Sequence, residues 1–147
     1  MKHILISILI LMAVHAAAQE IPAETFRSHM IMIAQNEDIQ KQYNVRDEDG
    51  ERVYYFNLGC YEHFHLEEPA ESRAGDVYLW NKGSVFFYKI PYTLDLLRIR
   101  DDEENILFYE FVYSTEKGRH YIEAKFVKRY DVWEFVDVAI SRVKQAY

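Results

Sequence analysis

Between Phe26 and Ala34 the apolar residues Phe26, Met30, Ile33 and Ala34 recur at helical spacing and fall on one stripe. Pro22 followed by Glu24 and Thr25 supplies a helix entry, so a helix is predicted over 23–35. Ile39 and Tyr43 continue the stripe beyond Asn36-Glu37-Asp38, which predicts a break and then a second turn or short helix. The polar run Arg46-Asp47-Glu48-Asp49-Gly50 ends it. From Glu51 onward the texture changes to short aromatic and β-branched runs separated by turn residues. Strands are predicted over 52–58 and 76–80, with Asn81-Lys82-Gly83 as a tight hairpin into a strand over 85–90. Pro91 interrupts the sheet, so the strand over 94–100 begins after a bend or at an edge, and Asp101–Asn105 forms a charged loop.

The last third alternates most clearly. Ile106–Tyr113, His120–Tyr130 and Val132–Ile140 are separated by Ser114–Gly118 and by a turn at Tyr130-Asp131, which predicts three consecutive antiparallel strands. Ile122, Ala124 and Phe126 alternate with Glu123 and Lys125, giving one inward and one solvated face. Trp133 and Phe135 share a facing and are expected to be buried beneath the helix stripe. The fold class that results is α+β, an N-terminal helix packed on a curved antiparallel sheet that ends in a three-stranded meander.

The residues His120-Tyr-Ile-Glu-Ala-Lys-Phe-Val-Lys-Arg-Tyr-Asp-Val-Trp-Glu-Phe-Val-Asp-Val resemble the last two strands of an NTF2-like domain. With the leading helix, the arrangement is similar to the NTF2-like and cystatin-like α+β families. The likeness covers roughly the last third of the chain, and it implies that the aromatic after the turn packs under the helices.

Residues 1–18 read as a signal peptide. Lys2 and His3 precede an apolar run from Ile4 to Val14 that is too short to span a bilayer, and Ala16-Ala17-Ala18 forms a small-residue cleavage site. Residues 19–147 then form a single α+β domain, periplasmic or secreted, and no cysteine at the cleavage position supports a lipid anchor. No later run is apolar enough to expect membrane insertion. Asp and Glu number 24 against 17 Lys and Arg, a net charge of −7 without a dense basic run, which argues against nucleic acid and anionic membranes as partners. Cys60 is the only cysteine, so no intramolecular disulfide forms; it is expected to be a small buried hydrophobe.

Candidate chemistry concentrates in Cys60–Glu68. In an extended stretch His63 and His65 project to one face, where Glu68 or Glu67 completes a zinc or iron site and His120 is a remote third histidine. His-x-His followed by an acid is similar to the first metal motif of the cupins, although Glu68 follows His65 after two residues rather than three or four. Asp95, Glu110, Glu123, Glu134 and Asp137 fall in strands and could serve a pocket enzyme of the ketosteroid-isomerase kind, but solvated outward charges explain them more cheaply. No G-x-S-x-G, H-E-x-x-H or P-loop signature is present.

Twelve Tyr, nine Phe and two Trp leave more aromatic surface than one core face accepts, because alternation turns half of each strand outward. Tyr54, Tyr61, Tyr78 and Trp80 are the candidate ligand-binding residues. The reading is an exported, non-enzymatic binding module without a cofactor, recognising a protein or small molecule as an inhibitor or immunity-type protein does. The alternative is a pocket enzyme or metal protein built on His63 and His65. A third reading is an oligomer that pairs through a strand edge, with Pro91 and the charged loop as edge protection.

Overall fold

A computed structural model describes residues 21–143. The signal peptide expected at 1–18 and the tail at 144–147 lie outside the described residues. Helix α1, Ala23–Ala34, starts directly after Pro22, whose φ of −60° suits the first turn, and it buries Phe26, His29, Met30, Ile33 and Ala34. Asn36 causes the break before α2, Glu37–Gln42: its side-chain oxygen accepts from the backbone N–H of Asp38 at 2.9 Å and of Ile39 at 3.2 Å. Ile39 and Tyr43 are fully buried, so the apolar stripe does continue across the cap.

The strands are β1 (Val53–Asn57), β2 (Asp76–Trp80), β3 (Leu94–Glu103), β4 (Ile106–Thr115), β5 (Gly118–Arg129) and β6 (Val132–Val143). They form one sheet in the order β2-β1-β3-β4-β5-β6. β3 to β6 are antiparallel neighbours, and the predicted meander is present with β3 added to it. Tyr130 and Asp131 both have positive φ, 49° and 64°, the conformation that joins two twisted strands through a two-residue turn.

The sheet is mixed, not antiparallel throughout, because β1 runs parallel to both β2 and β3. Parallel neighbours cannot be joined by a hairpin. The residues read as a strand over 85–90 are therefore part of a crossover: Val85 to Phe87 end helix α3, Lys82–Phe87, and 88–90 form the turn after it. Asn81 starts it by accepting from the backbone N–H of Ser84 at 2.8 Å. Pro91 lies in the same crossover, ahead of the interior strand β3, and protects no edge. β3 also runs through Asp101 to Glu103, where a charged loop was expected, since exposed strand positions accept charges as readily as a loop does.

The core gathers alternate residues of every strand except the edge strand β6: Tyr54 and Phe56, Val77 and Leu79, Leu94, Leu96 and Ile99, Leu107 to Tyr113 at every second position, and Ile122, Ala124 and Phe126. From α1, Phe26 meets Tyr109 edge to face at 5.8 Å and His29 stacks on Phe126 at 4.1 Å. Trp133 and Phe135 do face this core, the first against His29 at 5.7 Å and the second against Phe126 at 5.3 Å. They are only partly buried, however, because β6 is the last strand of the sheet. Cys60 also departs from expectation: it is exposed, in a turn after β1 from which Leu58 before it and Tyr61 after it enter the core.

Truncation should separate these two depths. Phe126→Ala, which empties a fully buried site, is expected to cost about 3–5 kcal/mol in urea unfolding, and Trp133→Ala about half of that. Equal costs would show that the β6 edge is as deeply packed as β5.

Candidate functional site

On β2 the burial of Val77 and Leu79 turns Asp76, Tyr78 and Trp80 to the opposite face, and on β1 Tyr54 and Phe56 do the same for Tyr55 and Asn57. Register sets Tyr55 beside Tyr78 and Asn57 beside Trp80. The rings meet: Tyr55 and Tyr78 stack at 4.9 Å, and Trp80 lies 5.5 Å from Tyr55 and 5.0 Å from Tyr78. α3 extends the row, since Tyr88 stacks on Trp80 at 4.8 Å and Phe87 meets Tyr88 edge to face at 5.1 Å. The result is an aromatic ladder from the sheet face to the α3 tip, outside the core cluster.

Polar groups border the ladder. Asn57 donates to the Asp95 carboxylate at 3.0 Å, and the Thr93 hydroxyl donates to the same oxygen at 2.7 Å. Partial burial raises the Tyr55 and Tyr78 hydroxyls above the ordinary phenol range, Asp47 adds to both shifts, and Asp76 adds to that of Tyr78. Both therefore remain protonated donors at neutral pH.

Of the four tyrosine and tryptophan positions selected from sequence, Tyr78 and Trp80 lie on this ladder. Tyr54 and Tyr61 do not. Tyr54 is fully buried and packs on Tyr43 at 5.6 Å, while the Tyr61 oxygen accepts from the backbone N–H of Ile99 at 3.0 Å inside the core. Alternation alone opposes Tyr54 to Tyr55, so Tyr55 was legible as its outward neighbour. Tyr88 was not, because reading 85–90 as a strand hides its approach to Trp80.

The metal candidates are not assembled. Phe64 is drawn into the core and stacks on Phe26 at 3.9 Å with rings 2° apart, which curls Glu62–Phe64 into a 3₁₀ turn instead of an extended stretch. His63 and His65 consequently share no strand face. His63 packs on the Phe64 ring at 4.0 Å. Nδ1 of His65 lies 3.1 Å from the Leu79 carbonyl and 3.3 Å from the Asn81 N–H, tying the turn to the β2–α3 junction. Glu68 follows in the loop toward β2, and His120 faces Tyr113 at 6.3 Å. Among the described residues no three His, Cys, Asp or Glu side chains converge as metal ligands.

The strand carboxylates also fail to converge. Glu110, only 4% exposed, is held by Arg98 through two bonds of 3.0 and 2.8 Å and by Arg100 at 2.9 Å. Arg100 continues to Glu123 at 2.9 Å and to Asp102. Burial pushes the Glu110 carboxyl up, but the hydrogen bonds from Arg98, Tyr121 and Arg100 outweigh it and hold the group below the usual carboxylate range. Glu134 pairs with Arg129 at 3.4 Å, and Asp137 accepts from the N–H of Val138 at 2.8 Å. This is a cross-strand clamp on three strands, with the remaining acids scattered around it.

His29 is the buried titratable group that sequence reading missed, hidden by its place on the apolar stripe. It is 1% exposed, its Nδ1 lies 2.7 Å from the Tyr109 hydroxyl, and its Nε2 has no partner. Burial lowers its pKa from 6.5 to about 4.

Comparison of the chain with protein-family models, curated proteins and solved structures found no match.

The His29 environment implies an acid-sensitive fold. The unfolded chain protonates His29 below about pH 6.5 and the folded chain only near pH 4, so the unfolded state gains protons first as pH falls. Stability is expected to drop by about 3 kcal/mol between those limits, at about 1.4 kcal/mol per pH unit. The further loss from protonating Glu110, whose folded pKa is depressed, sets in below its unfolded value. His29→Phe/Tyr109→Phe removes both buried polar groups and should flatten the pH 6.5 to 4 segment of urea midpoints while leaving the loss at lower pH. An unchanged slope in the double variant would assign the acid sensitivity elsewhere.

Proposed function

We propose that this chain is an exported, non-enzymatic binding module that recognises a protein partner with the aromatic ladder on the outward face of β1 and β2. The observation that carries the reading is the contiguity of Tyr55, Tyr78, Trp80 and Tyr88, four rings linked at 4.8–5.5 Å on a face turned away from the core. The ring contacts stabilise the monomer modestly, and stacked Tyr and Trp rings with hydrogen-bonding rims are also what the centres of protein interfaces use. Tyr55 stacks on Tyr78 and Tyr88 on Trp80, so each of the four rings already has one face occupied. That suits a protein surface better than a sugar, which needs a free ring face. The acidic balance of the chain, net −7, favours a basic partner, as an inhibitor or immunity-type protein would meet. The export signal at residues 1–18 and the NTF2-like or cystatin-like ancestry belong to the same proposal.

Photo-crosslinking tests it. A benzoylphenylalanine in place of Tyr78 is expected to capture a defined partner that the same probe at Val136 on β6 does not. Trp80→Ala should weaken that capture about tenfold while costing about 1 kcal/mol of stability. Capture of the same proteins from both positions, or from neither, would overturn the ladder as the recognition surface.

A further inference from the structure

Among the described helices α3 alone buries no residue. At its end three aromatic side chains follow one another into solvent: Phe86 is 85% exposed, Phe87 75% and Tyr88 59%. The charge around them is unlike that of the rest of the chain. From Val77 to Leu94 there is no acidic residue, and Lys82 and Lys89 flank the three rings, in a protein of net charge −7. The backbone N–H groups of this tip are bonded within it: those of Val85, Tyr88, Lys89 and Ile90 donate to carbonyls of Asn81, Ser84, Phe86 and Val85 at 3.0–3.2 Å.

Each of these features selects against one class of occupant and for another. Lysine is depleted at protein–protein interfaces but is attracted to anionic lipid, at short range where local rather than total charge counts. Phe and Tyr settle at the boundary between headgroups and acyl chains. A segment entering that boundary gains from backbone N–H groups that are already bonded, as these four are. We propose that the α3 tip seats Phe86 and Phe87 in the interfacial layer of an anionic phospholipid bilayer, with Lys82 and Lys89 against the lipid phosphates. The contact is peripheral and spans nothing. The net charge of −7 disfavours anionic membranes for the chain as a whole, and Lys82 and Lys89 reverse that sign locally in the sequence. The inference goes beyond the ladder reading and stands on α3 without it; the two are compatible, since the tip would hold the ladder beside the lipid surface.

The test uses the full chain carrying Trp133→Phe, so that Trp80, stacked on Tyr88, is the one tryptophan left to report. Vesicles of phosphatidylcholine with phosphatidylglycerol are compared with phosphatidylcholine alone. The protein is expected to sediment with the anionic vesicles, to be released by high salt, and to show Trp80 quenched by lipid brominated in the upper acyl chain. Phe86→Ser/Phe87→Ser should weaken sedimentation about tenfold without changing the melting temperature, because both rings are exposed. Absence of sedimentation by the parent protein overturns the proposal. So does equal sedimentation of the double variant, which would place the lipid contact in another segment such as residues 1–18. Equal binding to phosphatidylcholine alone overturns the anionic assignment. None of these results bears on Tyr78 crosslinking, so the ladder reading survives or falls separately.

Discussion

β1 runs parallel to the strands on both its sides, and much of the molecule follows from that constraint. A parallel pair needs a crossover long enough to return the chain to the starting end. The first crossover, between β1 and β2, brings Phe64 back onto Phe26 of α1 and curls the histidine-rich stretch into a 3₁₀ turn. It also supplies edge protection, since Leu66 and Ala70 hydrogen-bond to Leu79 and Val77 along the free side of β2. The second, between β2 and β3, carries α3 to the outward face, where Tyr88 closes on Trp80. One topological requirement thus dismantles the suggested metal site and builds the aromatic one.

The outward face divides along the sheet. Toward β2 it is aromatic, and across β3, β4 and β5 it is ionic, with Glu110 at the centre of the Arg98 and Arg100 clamp. The clamp joins three strands by side chains on a face where apolar packing is thin. A buried carboxylate with two guanidinium partners is costly to break, but its net contribution is modest because all three groups lose hydration. Its chemical consequence is clearer: Arg98 and Arg100 are both occupied by carboxylates, so neither is a spare cation for an acidic ligand.

The inward face has a different economy: among the described residues, its uncompensated polar atoms are Nε2 of His29 and the hydroxyl of Tyr54. The Tyr109 hydroxyl serves Nδ1, while Nε2 is enclosed by Phe126 and Trp133 without a partner. A neutral imidazole tolerates this and an imidazolium does not. The stripe that docks α1 against β4, β5 and β6 is therefore also where acid enters the stability of the fold.

Local pattern was sufficient for α1, for the Asn36 break, for β1 and β2 within a residue, and for the meander with its Tyr130-Asp131 turn, because each is written in periodicity or in a cap a few residues long. It also exposed the surplus of aromatic residues, because alternation can turn only half of each strand into one core. What it could not decide were pairings between distant segments. Whether β1 meets β2 and β3 parallel or antiparallel is settled by contacts across the whole sheet, and the crossovers it requires turn 85–90 from strand into the end of α3 and the turn after it, and separate His63 from His65. The residues carry their chemistry in the sequence; which of them meet depends on contacts between segments tens of residues apart, whose energies no local window contains.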